Sequence, residues 1–223
     1  MQVFSIILLI AQVLCCHLAI AGNAVPVIQR YAIVGTSDDG KRLAIMLTHF
    51  GPSSNAPFAN LHVYEAGVTT PLLTDSAFRM SGGEDELADL AAGLLKKNGS
   101  SLTKLRINLN SPLYGDANFA LVAPSASNFI SGQVDIENVG VNDFQIQAQS
   151  CESCPTVPDA AIDLKFSSHH LILTPKNPEE CLGGPIQLRT IMRTKAALWF
   201  ILLRKTDALG IPFYLINVAG MGW

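Results

Sequence analysis

The chain has 223 residues, 49 % of them apolar and only 15 % charged, with a formal net charge of −3. High hydrophobicity with low charge opposes disorder. A balance of 15 basic against 18 acidic residues provides no field strong enough to attract nucleic acid, and the length suits a single domain rather than an array.

Residues 1–21 contain no Asp, Glu, Lys or Arg. Ala19-Ile20-Ala21 supplies the small-x-small pattern that signal peptidase accepts, which predicts a signal peptide over 1–21 and one β-rich secreted domain over 22–223. The alternative is a retained anchor. A spanning helix needs about 20 apolar residues, which this stretch barely reaches, so membrane contact is expected only through this segment, and only if it stays uncleaved.

Residues 30–34 (RYAIV) and 42–47 (RLAIML) flank the turn signal Thr36-Ser37-Asp38-Asp39-Gly40, which predicts a β-hairpin. Residues 50–58 are rich in Gly, Pro, Ser and Asn and read as a loop. The loop carries Phe50 and Phe58 around Ser53, Ser54 and Asn55. Rigid aromatics beside adaptable polar residues suit recognition, so these five are the expected contact residues; the competing expectation is that both rings fold back onto the core. Residues 60–65 alternate apolar and polar, and an Ala66-Gly67 turn leads to a strand over 68–73. Leu87, Leu90, Ala91, Leu94 and Leu95 form one apolar stripe, predicting a helix over 84–97. Its acidic start and Lys96-Lys97 end suit the helix dipole. Ser81 or a nearby Gly is expected to cap its start, and Asn98-Gly99 to supply a left-handed stop.

Beyond residue 102 strands are predicted over 105–109, 119–123, 133–137, 144–148, 161–166, 171–174, 186–193, 198–203 and 213–218. The continuous run LWFILL (198–203) reads as a strand buried on both faces. The expected fold is mainly β, a sandwich or barrel-like set of antiparallel sheets with one amphipathic helix packed on a sheet.

Of five cysteines, Cys15 and Cys16 leave with the leader, and Cys151, Cys154 and Cys181 remain. Cys151 and Cys154 have redox or zinc spacing, but Pro155 and Pro158 follow at once, so the motif lies in a loop and not at a helix start. A structural disulfide from Cys181 to Cys151 or Cys154 is expected. It would close a loop of roughly 30 residues and contribute about 3–4 kcal/mol. A Cys151–Cys154 bridge would be short and strained. Zinc held with Cys181 and His169 or His170, redox chemistry, and free thiols are the alternatives. His169 and His170 are adjacent, point to opposite faces of a strand, and read as a strand-entry pair. His49 with Asp38-Asp39 and Ser53 or Ser54 could be drawn as a triad, but no nucleophile signature accompanies them. No catalytic, metal or cofactor residue is assigned.

Several of these motifs, taken in order, resemble a family of bacterial predicted secreted proteins (domain of unknown function 2259). Thr36 to Ala44 is similar to that family's S-P-D-G-R-Y-x-A-F opening, matching at Ser37, Asp39, Gly40 and Ala44. Ala56-Pro57-Phe58-Ala59 with Leu61-His62-Val63-Tyr64 resembles its F-P-Y-A-x-I-Y-V-I, followed by the helix, by Cys181-Leu182-Gly183 and by Phe213-Tyr214-Leu215. The resemblance implies secretion, most naturally to a bacterial periplasm, and a β-rich domain, with no known reaction. The expected function is a non-enzymatic binding or structural module acting on an unknown envelope protein or ligand. The alternative is an envelope hydrolase or a thiol-redox protein.

Overall fold

The computed structural model describes residues 27–28, 30–51, 56–109, 119–121, 127–136, 140–175, 181, 183–208 and 211–222. The expected leader over 1–21 lies outside them. The fold is mainly β, as expected, and its sheets stack face to face.

The N-terminal sheet contains β2 (Arg30–Ser37), β3 (Arg42–Phe50), β4 (Pro57–Glu65), β5 (Leu73–Phe78) and β6 (Ile107–Asn108), in the order β5-β4-β3-β2-β6. The central sheet is β1-β14-β13-β12, from β1 (Val27–Ile28), β12 (Ile186–Arg193), β13 (Ala197–Ala208) and β14 (Ile211–Gly222). The far sheet is β11-β10-β9-β8-β7, from β7 (Phe119–Leu121), β8 (Phe129–Ile136), β9 (Gly140–Gln149), β10 (Ala161–Phe166) and β11 (His169–Leu173). The pairs are antiparallel except β1 with β14, which run parallel.

Alternation along β13 explains the stacking. Ala197, Trp199, Ile201 and Leu203 pack against Leu43, Ile45 and Leu47 of β3. Leu198, Phe200 and Leu202 pack on the opposite face against Ile130, Phe144, Ile146 and Leu164 of the far sheet. A strand whose successive side chains point to opposite faces must be apolar throughout when both faces are covered. The same holds for β3, because Ala44 and Met46 turn away from the central sheet towards Ala59, Leu61 and Val63 of β4 and towards the helix.

That helix, α1 (Glu84–Lys97), has the predicted limits and lays Leu87 and Leu94 into the sheet. Its cap is Gly83, whose N–H donates to the Glu86 carboxylate at 2.7 Å. The helix stops at Asn98 as predicted, but without the left-handed conformation, Asn98 having φ −94°. Asn98 is buried, and its Nδ2 donates to the Leu94 carbonyl and to Asp75 Oδ2. The chain turns there into a second helix, α2 (Gly99–Lys104), and the left-handed residue falls later, at Arg106 (φ 56°). The local signal thus sets the end of α1, while hydrogen bonds of the buried Asn98 side chain, and not a left-handed backbone, close it. The predicted strand 105–109 shrinks to β6, which pairs Ile107 and Asn108 with Ser37 and Thr36.

Two further expectations need correction. The strand predicted over 68–73 begins at Leu73 and runs to Phe78, because its partners are Val63 back to Phe58 and the connection from Glu65 is wider than a two-residue turn. The loop predicted over 50–58 is shorter than expected, because its ends, Phe50, Pro57 and Phe58, belong to strands. Pairing between β3 and β4 continues to Phe50↔Pro57, and the Gly51 N–H donates to the Ala56 carbonyl, so the true connection is 51–56. The Gly- and Pro-rich composition marked the turn and masked the strand ends around it.

The β2–β3 turn is docked onto the central sheet. Gly40 has φ 74°, a conformation that L side chains rarely adopt, and a Cβ there would lie 2.7 Å from the Lys195 backbone nitrogen. The Gly40 carbonyl accepts from the buried Thr194 hydroxyl at 2.5 Å, and Thr194 Oγ1 accepts from Trp199 Nε1 at 3.2 Å.

Candidate functional site

The open end of the N-terminal sheet carries a row of rings across three strands. His49 on β3 is paired with Phe58 on β4, and Phe58 with Phe78 on β5. Directly opposed residues share a face, so the three side chains meet. His49 and Phe58 stack with centroids 4.9 Å apart and planes 4° apart, and Phe58 and Phe78 stack at 5.6 Å and 17°. This is the same face on which Leu43, Ile45 and Leu47 pack against the central sheet, but the covered cluster ends at Leu47 and the rings continue past it.

Phe78 ends the stack on β5, an edge strand, and is 60 % exposed. Met80, two residues further along the chain, is also exposed, whereas the exposed Val68 and Leu72 precede the opposite end of β5. The edge has a definite polarity. Arg79 N–H donates to the Pro57 carbonyl, which sets the alternation so that residues 77, 75 and 73 bond inward to β4. Thr74, Ser76 and Phe78 therefore direct their backbone groups to the open side. The Ser76 N–H accordingly takes the Asp75 carboxylate instead of a strand partner, at 3.0 Å. Asp75 is itself held by Lys97 and Asn98 from the helix side, and these bonds keep its carboxyl below the usual range.

Burial lowers the pKa of both histidines on this face, His49 and His62. The His49 Nδ1 is buried with no hydrogen-bond partner among the described residues, as suits a neutral ring packed on Phe58. His62 Nδ1 lies 3.2 Å from Thr74 Oγ1, and Tyr64 next to it has its hydroxyl pushed up to about 12 by burial. A histidine whose folded pKa is depressed contributes stability that is fully present above its unfolded pKa of about 6.5 and is lost as pH falls below it. The urea midpoint is therefore expected to be level above about pH 6.5 and to fall on acidification towards pH 5, with a shallower fall in His49→Gln. Asp39, Asp75 and Glu86, whose pKa values are lowered mainly by hydrogen bonds, lose their contribution only at lower pH. A midpoint that stays level or rises between pH 7 and about 5 would contradict this assignment.

Among the expected contact residues, Phe58 is the centre of the stack, while Phe50, next to His49 on β3, points to the opposite face. Ser53, Ser54 and Asn55 lie outside the described residues. The triad drawn from His49 and Asp39 is not assembled. Asp39 sits in the turn at the other end of β3, its Oδ1 accepting from Ser37 and Lys41, about 20 Å from His49 at 3.3 Å per residue. Cys181 bonds to Cys154, one of its two expected partners, across a separation of 27 residues, and Cys151 is a thiol. Two of the three sulfurs are thus unavailable to zinc. His170 opens β11 beside His169, as expected, and pairs with Asp163 at 2.7 Å. The residues missed from sequence were His49 and Phe78 as members of one stack. The signal was the hairpin register: carrying the β3–β4 and β4–β5 pairing outward places all three rings in one row.

Comparison with protein-family models, with curated proteins and with solved structures finds no match.

Proposed function

We propose that this chain is a secreted, most naturally periplasmic, non-enzymatic binding module whose contact surface is the open edge of β5 with the ring row His49–Phe58–Phe78. The occupant is an extended segment of an envelope protein that adds as a strand to β5 and places an aromatic side chain against Phe78. The observation that carries this reading is the stack itself, which ends in an exposed ring on a strand whose outer edge has no strand partner among the described residues. An edge strand offers backbone donors and acceptors to an added strand, and side-chain pockets then select the sequence. Natural edges are usually guarded by Lys, Pro or a bulge; β5 (LTDSAF) has none of these, and Asp75 covers only one backbone N–H. The disulfide supports an oxidising compartment, where such bonds persist.

A fluorescent peptide of alternating Thr and Val with a central Phe tests the reading by anisotropy. Phe78→Ala is expected to weaken binding by about tenfold or more while shifting stability by no more than about 0.5 kcal/mol, because the ring is exposed. Phe58→Ala is expected to cost about 1–2 kcal/mol as well, since its ring is held on both sides. Equal affinity of the wild type and Phe78→Ala, or no binding by either, would reject this surface. On the same expressed chain, a mature N-terminus at Gly22 is expected; a membrane-retained product that still begins at Met1 would reject secretion.

A further inference from the structure

Cys151, Cys154 and Cys181 lie together at the connection between β9 and β10, and their arrangement goes beyond a structural staple. Cys151, Glu152, Ser153 and Cys154 form a closed turn in which the Cys154 N–H donates to the Cys151 carbonyl at 3.1 Å. Such a turn brings its end Cα atoms within about 7 Å, overlapping the roughly 4.4–6.8 Å that a disulfide spans. Cys154 is already bonded to Cys181. The Ser153 hydroxyl donates to the Pro175 carbonyl at 3.0 Å and lies near both sulfurs, 3.4 Å from Cys151 Sγ and 3.8 Å from Cys154 Sγ. Cys181 Sγ in turn is 3.5 Å from the Ser153 carbonyl. A thiol and one sulfur of a disulfide thus occupy the two ends of one turn.

The turn is held from below. Arg204 of β13 is buried and donates to the carbonyls of Ala160 at 2.7 Å and Ala161 at 3.4 Å, where the turn segment enters β10. Burial works against its guanidinium charge, and the charges of Asp159 and Cys151 work for it.

We propose that Cys151 is the resident nucleophile of an internal thiol–disulfide exchange that converts the Cys154–Cys181 bridge into a Cys151–Cys154 bridge and releases Cys181 as a thiol. The Cys151 thiolate attacks Cys154 Sγ, the new S–S bond forms as the Cys154–Cys181 bond breaks, and Cys181 leaves as a thiolate. The proton given up by Cys151 is replaced by one taken from water at Cys181. The number of disulfides is unchanged, so no oxidant or reductant is consumed. The consequence is topological. The original bridge closes the chain around β10 and β11, whereas the new one closes a single turn, so the exchange opens the covalent loop that encloses this edge hairpin of the far sheet.

The full chain, purified without reductant, is held at about pH 9 to raise the thiolate fraction, with the far-ultraviolet dichroism checked for constancy. It is then quenched in acid, alkylated and mapped as a non-reduced digest, with Cys15 and Cys16 followed in the same map. A fraction of the alkylation is expected to move from Cys151 to Cys181, in step with the appearance of a Cys151–Cys154 bridged peptide. Because the step is intramolecular, its rate is expected to be unchanged by about tenfold dilution. The Cys151→Ser variant is expected to keep the Cys154–Cys181 bridge throughout. Alkylation that stays on Cys151, a Cys151–Cys181 bridge with label on Cys154, or a rate that falls on dilution would each overturn the proposal.

Discussion

Replacing Trp199 with alanine is expected to remove about 3–5 kcal/mol of stability, the range for truncating a large buried ring. Trp199 is fully buried at the interface of the N-terminal and central sheets, among Leu43, Ile45, Val218 and Leu203. Three effects combine at this position. The lost ring leaves a cavity between two sheets, neither of which can collapse freely. The ring also covers Gly220, its cross-strand partner, where even a Cβ would come within 2.4 Å of the indole. Its Nε1 donates to Thr194 Oγ1, which donates on to the Gly40 carbonyl, so the indole anchors the chain of bonds that docks the β2–β3 turn. Since a domain of this kind has about 5–15 kcal/mol in total, the loss should be visible as a large drop in the urea midpoint. Trp199→Phe should fall between the two, keeping much of the buried area but losing the bond to Thr194, at about 0.5–1.5 kcal/mol for that bond. A Trp199→Ala variant with an unchanged midpoint would mean that the two sheets are not packed through this residue.

Loss of the Cys154–Cys181 bridge is expected to cost nearly as much, about 3.5 kcal/mol by the loop-entropy relation for a separation of 27 residues. The loop it closes contains β10 and β11, an edge hairpin of the far sheet whose Ile162, Leu164, Phe166 and Leu171 belong to the core. Without the bridge the unfolded chain regains that loop's freedom, and unfolding is favoured accordingly. Cys181→Ser should therefore lower the urea midpoint by an amount matching the reduced wild type. A new bridge between Cys151 and Cys154 in that variant would recover little, because it closes only a turn. Equal midpoints for the oxidised wild type and Cys181→Ser would show that the bridge carries no such load.

How much of this was legible in the chain varies by element. The limits of α1, β10 and β12 agree with those read from periodicity, and β13 was legible as a two-faced strand. In each case the signal is carried by side chains within a few positions of one another. β3 has the same two-faced pattern in RLAIML, but its flanking turn signals drew attention to the hairpin and not to the second covered face. The ring row was not legible, because its members come from three strands and meet only through register.

The amino-acid sequence by itself determined the class of fold, the single long helix and its acidic-to-basic polarity, the first hairpin, and the restriction of Cys181 to one of two partners. Hydrophobic periods, turn residues and cysteine spacing act locally, so they can be read without knowing what lies opposite. The tertiary structure alone decided that Asn98 would be buried and a second helix, α2, would follow at once, that β5 would begin at Leu73, that Cys154 and not Cys151 would take Cys181, and that His49, Phe58 and Phe78 would stack. Each of these depends on which faces of distant strands bury one another. A shift of register by one residue turns every side chain to the other face, so burial across the stacked sheets, and not any local preference, selects the arrangement.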